Sequence, residues 1–154
     1  YLRDAHNLDI GLSTAEYIKC EIGGVLPREE ESRLTVRGRR VSDGLPACVT
    51  VQSGELVSVL HEQAEQILAA ICGLIELTPP ELVGDLTETG LVLAGGGSRL
   101  YGIGSYLSQE LGLEAHTSDD PEACVVEGTS RVLGRLKNCE EGTINIARRR
   151  QGIV

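Results

Sequence analysis

The sequence predicts an α/β fold, and three stretches carry that prediction. Gly90 to Gly102 reads G-L-V-L-A-G-G-G-S-R-L-Y-G, a short apolar run broken at once by three glycines. Residues 33 to 52 alternate apolar and polar side chains, the two-residue period of half-solvated strands. Residues 54 to 77 repeat their apolar side chains every three or four positions instead, as a helix does when one stripe faces a core.

Composition limits what such a fold can do. A chain of 154 residues buries one substantial core, or divides into a medium unit and a small one. It has no Phe, Trp or Met and only 4 Tyr, so the core must come from Leu, Ile, Val and Ala, and base stacking on aromatic rings is nearly excluded. With 23 acidic against 14 basic residues the net charge is -9, which argues against a nucleic-acid partner. Basic residues cluster only at 33 to 40 and 148 to 150. The 5 cysteines form no C-x-x-C pair and the 3 histidines are scattered, so neither a disulfide framework nor a zinc site is readable. No signal peptide or membrane-spanning run is recognisable, which makes a reducing cytoplasm the expected setting. The opening at Tyr1, in the manner of a helix already under way, leads to the expectation of further sequence before it.

Taken in order, residues 1 to 8 read as the end of a helix, followed by the turn-prone Asn7-Leu8-Asp9-Ile10-Gly11. Ser13 with Glu16 forms a capping-box pattern that opens a helix to about Ile22, ended by Gly23-Gly24. On it Glu16 and Lys19 share one face, as either a solvated ion pair or a functional pair. Pro27 and Glu29 to Glu31 read as an exposed loop. Leu34 and Val36 then oppose Arg33, Thr35 and Arg37 in a strand, Ser42-Asp43-Gly44 turns, and Ala47, Val49 and Val51 alternate in a second strand, giving a hairpin or meander. Its arginine row is a solvated strand face or a surface for an acidic partner.

Ser53 is placed to cap the long helix, with Leu56, Leu60, Ala64, Ile67, Ile71 and Leu74 as its stripe. Thr78-Pro79-Pro80-Glu81 is a second capping-box pattern, for a short helix to Leu86. Leu91 to Leu93 suits a strand buried on both faces. After it, Gly95, Gly96 and Gly97 allow close approach to the backbone, and Ser98 can cap the helix that follows. This geometry binds a phosphate or ribose, or is simply a tight β-α turn; its spacing matches neither G-x-G-x-x-G nor the P-loop. A helix stripe at Leu100, Ile103, Leu107 and Leu111 stops at Gly112, and residues 113 to 117 read as a strand. Asp119-Asp120-Pro121 starts a last helix with Ala123, Val126, Ser130 and Leu133 on one face. Beyond Leu136 the pattern fades, and residues 137 to 154 read as a tail without order.

Several segments together resemble the C-terminal half of the MreB family, the rod-shape-determining bacterial actin homologues. They are Tyr17 to Gly23, Leu34 to Arg39, Gly44-Leu45-Pro46, Thr78 to Leu82, Gly90 to Gly102 and Asp120 to Thr129, and the likeness runs from Tyr1 to about Leu136. The resemblance implies an actin-like (ribonuclease H-like) ATPase half-domain, α/β in class, with a small α+β subdomain inserted. Residues 1–23 and 61–136 would form the larger subdomain and residues 24–60 the smaller. The glycine strand-turn would be the adenosine motif, so Glu16, Lys19, Gly95, Gly96, Gly97, Ser98 and Arg99 are the expected nucleotide contacts. Glu16 would accept from ribose hydroxyls, and Lys19 would lie near the sugar or base. Arg99 departs from the family, which has a small or aliphatic residue there; in the related heat-shock chaperones an arginine at this offset lies over the adenine.

The implied cofactor is ATP or ADP with Mg2+. The family's two phosphate loops, D-x-G-T and D-x-G-G-G-T, do not occur in this sequence, and Asp9-Ile10-Gly11 echoes them without the Thr. The chain by itself is therefore expected to lack ATPase activity. The implied partners are further copies in a filament and proteins of cell shape and cell-wall synthesis, at the cytoplasmic face of the inner membrane, which the family's N-terminal half contacts. The alternative is a non-catalytic module that binds nucleotide weakly or engages a filament or partner surface. Chaperones and sugar kinases share the architecture, but the short hairpin from Leu34 to Val51 favours the MreB resemblance.

Overall fold

A computed structural model of the chain describes residues 1–135. The tail expected over residues 137–154 lies outside them. The chain starts with a short helix, α1 (Leu2–His6), closed by Asn7 in the left-handed conformation at φ 53°. The turn expected next is instead a two-residue strand, β1 (Leu8–Asp9), followed by α2 (Leu12–Ile22), β2 (Arg33–Arg40) and β3 (Pro46–Gln52). These strands form an antiparallel sheet in the order β1-β2-β3.

The register explains the alternation. Leu34 lies opposite Val51 and Val36 opposite Val49, so all four point to one face, while Arg33, Thr35, Arg37 and Arg39 line the exposed other face. The apolar face packs on α1, α2 and the start of the long helix α3 (Ser53–Glu76), in a core of Leu2, Leu8, Ile18, Ile22, Val36, Val51 and Leu56. Gly38 lets β1 join the sheet, because a Cβ there would sit 2.5 Å from the Asp9 carbonyl oxygen and 2.9 Å from Leu8 Cγ.

The helix starts differ from the capping patterns. Gly11, not a side chain, stands at the N-cap of α2, and Ser13 lies inside the helix. Gln52 caps α3 in a capping box with Glu55; Ser53 is buried and accepts the Ser32 N–H at 3.0 Å, tying down the preceding loop. Thr78 turns backwards, its hydroxyl donating to the Leu74 carbonyl at 2.7 Å, so it closes α3 and leaves α4 (Pro80–Thr89) to begin at Pro80 without a side-chain cap. One cause covers Ser53 and Thr78. A Ser or Thr hydroxyl can bond any of several neighbouring backbone groups, and tertiary packing decides which.

The second core lies beyond α4. Strand β4 (Leu91–Leu93) pairs in parallel with β5 (Ala115–Thr117), and α5 (Ile103–Leu111) lies between them in sequence. Val25, Ala64, Ile103, Tyr106 and Leu107 are buried together, with Leu93, Leu100 and Ala115 packed around them. β4 is not covered on both faces as expected: Leu93 packs against the core while Val92 is 62 % exposed. The expected stripe of α3 is corrected in the same way, since Ile67 and Leu74 are exposed and Leu68 packs instead. The last helix, α6 (Cys124–Arg135), exposes Val126 and Leu133, two of the four residues expected to share one of its faces.

Candidate functional site

α2 brings Glu16 and Lys19 onto one face through its three-residue spacing, and the Lys19 Nζ lies 2.7 Å from Glu16 Oε2. The Glu16 side chain remains largely in solvent, and that of Lys19 is half-buried. The hydrogen bond from Lys19 holds the Glu16 carboxyl below its ordinary value, against a small opposing effect of burial. Cys20 Sγ adds a weak donor to Glu16 Oε1 at 3.7 Å.

The opposite wall is the glycine turn. Gly95 sits at φ 83°, a conformation that L side chains rarely adopt, and its N–H donates to the Pro121 carbonyl at 2.5 Å. Gly96–Arg99 then form one 3-10 turn rather than the start of the helix. Ser98 is not a helix cap: its hydroxyl donates back to the Gly95 carbonyl at 2.7 Å, and α5 begins later, after Gly102 at φ 80°. A side chain at Gly102 would collide with Leu26, its Cβ 2.9 Å from the Leu26 Cβ, so this glycine sets how closely the turn approaches the loop after α2.

Between the two walls lies a cleft of about 860 Å³, floored by Ala64, Ile103 and Leu107. Glu16, Lys19, Gly96, Gly97, Ser98 and Arg99 all line it. Gly95, expected among them, does not; its backbone is turned to Pro121. Arg99 Nε is 3.3 Å from Glu122 Oε1, so each wall carries an ion pair, and Arg28 adds one further positive charge to the lining. Such a space suits a body with hydroxyls and ring edges.

Sequence reasoning missed three residues that also line the cleft: Arg28, Tyr101 and Glu122. Arg28 falls in what reads as a plain exposed loop, and Glu122 reaches the turn only through the fold, so neither had a local signal. Tyr101 was in plain view, as one of 4 tyrosines in a chain without Phe or Trp. A smaller cavity of about 300 Å³, lined by Leu2, Ile10, Ile18 and Val59 among others, lies on the other side of α2 and also touches Lys19.

Comparison with known proteins places the chain. Residues 1–141 match the family described as MreB/Mbl protein. The cell shape-determining protein Mbl of Bacillus cereus is 39% identical over 136 residues, which is 88% of this chain and 41% of that protein. The cell shape-determining protein MreB of Escherichia coli K12 is 38% identical over 133 residues, 86% of this chain and 38% of that protein. Among solved structures, MreB5 of Spiroplasma citri bound to AMPPNP superimposes with a TM-score of 0.86 at 33% identity, over 90% of this chain and 41% of that one. The chain thus spans about two fifths of the length of the relatives it matches. On the family match and these likenesses, the chain belongs to the MreB/Mbl family and has its actin-like fold.

Proposed function

We propose that this chain supplies the adenosine side of the nucleotide cleft in a filament-forming, cell-shape-determining actin-like ATPase. The observation that carries the reading is that Glu16, Lys19 and Gly96–Arg99, far apart in sequence, line one cleft. The solved MreB5 bound to AMPPNP, 33% identical, supports a nucleotide as the ligand.

In this reading the Glu16 carboxylate accepts from ribose hydroxyls, and being held ionised it is an acceptor only. Lys19 keeps that carboxylate charged and stands beside the sugar. The side-chain-free turn at Gly96 and Gly97 admits the nucleoside close to its backbone. Arg99 is bonded at its edge to Glu122, which leaves the planar faces of the guanidinium available to a purine. Mg2+ does not fit here in the same way: among the described residues no three His, Cys, Asp or Glu side chains gather to hold a metal, and no step is assigned to it. The chain's own part is binding and orientation. Transition-state stabilisation at a γ-phosphate needs groups that these residues do not supply. Filament assembly, partners in cell-wall synthesis and a place at the inner face of the membrane belong to the same proposal.

The test is calorimetric titration of ADP into the chain, with phosphate release from ATP followed in parallel. Binding that Glu16→Ala weakens about tenfold, with no release above a protein-free control, is the expected result. No heat of binding at millimolar ADP, or binding indifferent to Glu16, would overturn it.

A further inference from the structure

We infer that Arg28 and Tyr101 form a clasp that sets the width of the cleft between α2 and the glycine turn, an inference that rests on the nucleotide reading above. The end of a helix leaves carbonyls without partners, and a cation placed there also meets the negative end of the helix dipole. Arg28 does both at α2, its Nη2 donating to the Gly23 carbonyl at 3.0 Å. The same guanidinium lies 4.5 Å above the centre of the Tyr101 ring, within cation–π range.

Tyr101 belongs to the other wall. It stands two residues after the 3-10 turn, beyond Leu100, and its carbonyl accepts the Val25 N–H at 2.8 Å. Gly24 and Tyr101 form an isolated parallel bridge, and a Cβ at Gly24 would stand 3.3 Å from the ring. The segment leaving α2 and the segment leaving the glycine turn are therefore stitched together at one place, by backbone and by one guanidinium. Glu16 and Lys19 stand on the first strut and Gly96–Arg99 on the second. The Nε of Arg28 is enclosed without an acceptor among the described residues, and the polar contacts that orient the group are those to Gly23 and Tyr101.

Arg28 thus acts as a positioning residue: it lines the cleft, but its own bonds run to the two walls, and these carry Glu16 and the glycine turn. A guanidinium that merely stabilised the fold would change unfolding and leave nucleotide affinity alone. One that sets the gap changes the affinity for adenosine and ADP equally, whereas one that touches a phosphate weakens ADP alone.

Adenosine and ADP titrated separately into the 15N-labelled full chain, followed through the amide shifts of Gly96 and Gly97, test this. Arg28→Ala should raise both midpoints roughly three- to tenfold. Arg28→Lys should restore most of the loss, because an ammonium can still sit over the ring and reach the Gly23 carbonyl. Tyr101→Phe should be silent and Tyr101→Leu should match Arg28→Ala, with the double variant no weaker than either single one. If Arg28→Ala unfolds, Arg28→Met, which keeps a stem over the ring without charge, is judged by the same criterion. Unchanged midpoints in Arg28→Met and Tyr101→Leu overturn the clasp and leave the nucleotide reading standing. Gly96 and Gly97 shifts that never move in the unaltered chain overturn both.

Discussion

The core under the antiparallel sheet and the core beside the glycine turn are made of the same aliphatic residues, yet they close to different degrees. Under the sheet, Leu8 and Val51 are 0% exposed, and the outward face of the strands is mostly arginine, threonine and glutamine, with Cys48 and Pro46. Beside the turn, Val25 and Leu107 are as deeply buried, but Val92 on β4 and Val125, Val126, Val132 and Leu133 on α6 stand in solvent among the described residues. An antiparallel sheet can present one wet face and needs one layer of helices. A parallel pair reads as apolar on both faces and needs two layers. The difference teaches that apolar periodicity records the surfaces a segment is built to cover, whether or not the cover is among its neighbours here.

The largest effect that can break this comparison is a cavity in either core. Leu8→Ala and Leu107→Ala should each cost about 2–5 kcal/mol in urea unfolding. Each variant should still unfold in one transition, because α3 gives Leu56 to the first core and Ala64 to the second. Two separate transitions would show the cores to be independent.

Glycines give the next contrast. Gly38→Ala should cost about 1–3 kcal/mol, because the new methyl meets β1 backbone that cannot yield without parting the sheet. Gly73→Ala, in open space within α3, should instead raise stability by about 0.5–1 kcal/mol. A loss at Gly73 would place an unseen neighbour against that face.

Acid should act on the sheet side. Burial tends to raise the Glu55 carboxyl, but hydrogen bonds from His6, the Gln52 N–H and Tyr1 outweigh it and hold the group below its ordinary 4.5. The Asp9 carboxyl is held down by Arg39, and that of Asp43 by the Leu45 N–H and Arg40. A group lowered in the folded state binds its proton more readily when unfolded. Its stabilisation is complete above the ordinary carboxylate range and drains away as pH falls through that range to the lowered value. Glu55→Gln should therefore flatten the fall of the urea midpoint between about pH 5 and 3. An unchanged slope would count against Glu55 as its source. The smallest effect belongs to the open face: Val92→Thr should shift stability by no more than about 0.5 kcal/mol.

Legibility in the sequence followed the same divide. The two strands of the hairpin and the end of α2 could be read because alternation and glycine stops are local signals. The strand Leu8–Asp9 could not, since two residues are too few to show a period and its pairing with Arg39 and Arg40 is long-range. Ser13, Ser53, Thr78 and Ser98 were all read as helix caps, and each hydroxyl or its position proved otherwise. The cleft was half legible. The glycine turn and the Glu16–Lys19 pair announce themselves, while Arg28 and Glu122 depend on where distant loops come to rest.

The length of α3 has a mechanical meaning. Its 24 residues make a rod of about 36 Å, gripped near one end by Leu56 under the sheet and farther along by Ala64 and Ile71 beside α5. A tilt of about 5° about Leu56 would carry Ala64, about 12 Å along the rod, through about 1 Å. A tilt of α3 against the sheet would therefore reach the cleft through Ala64, which lines it.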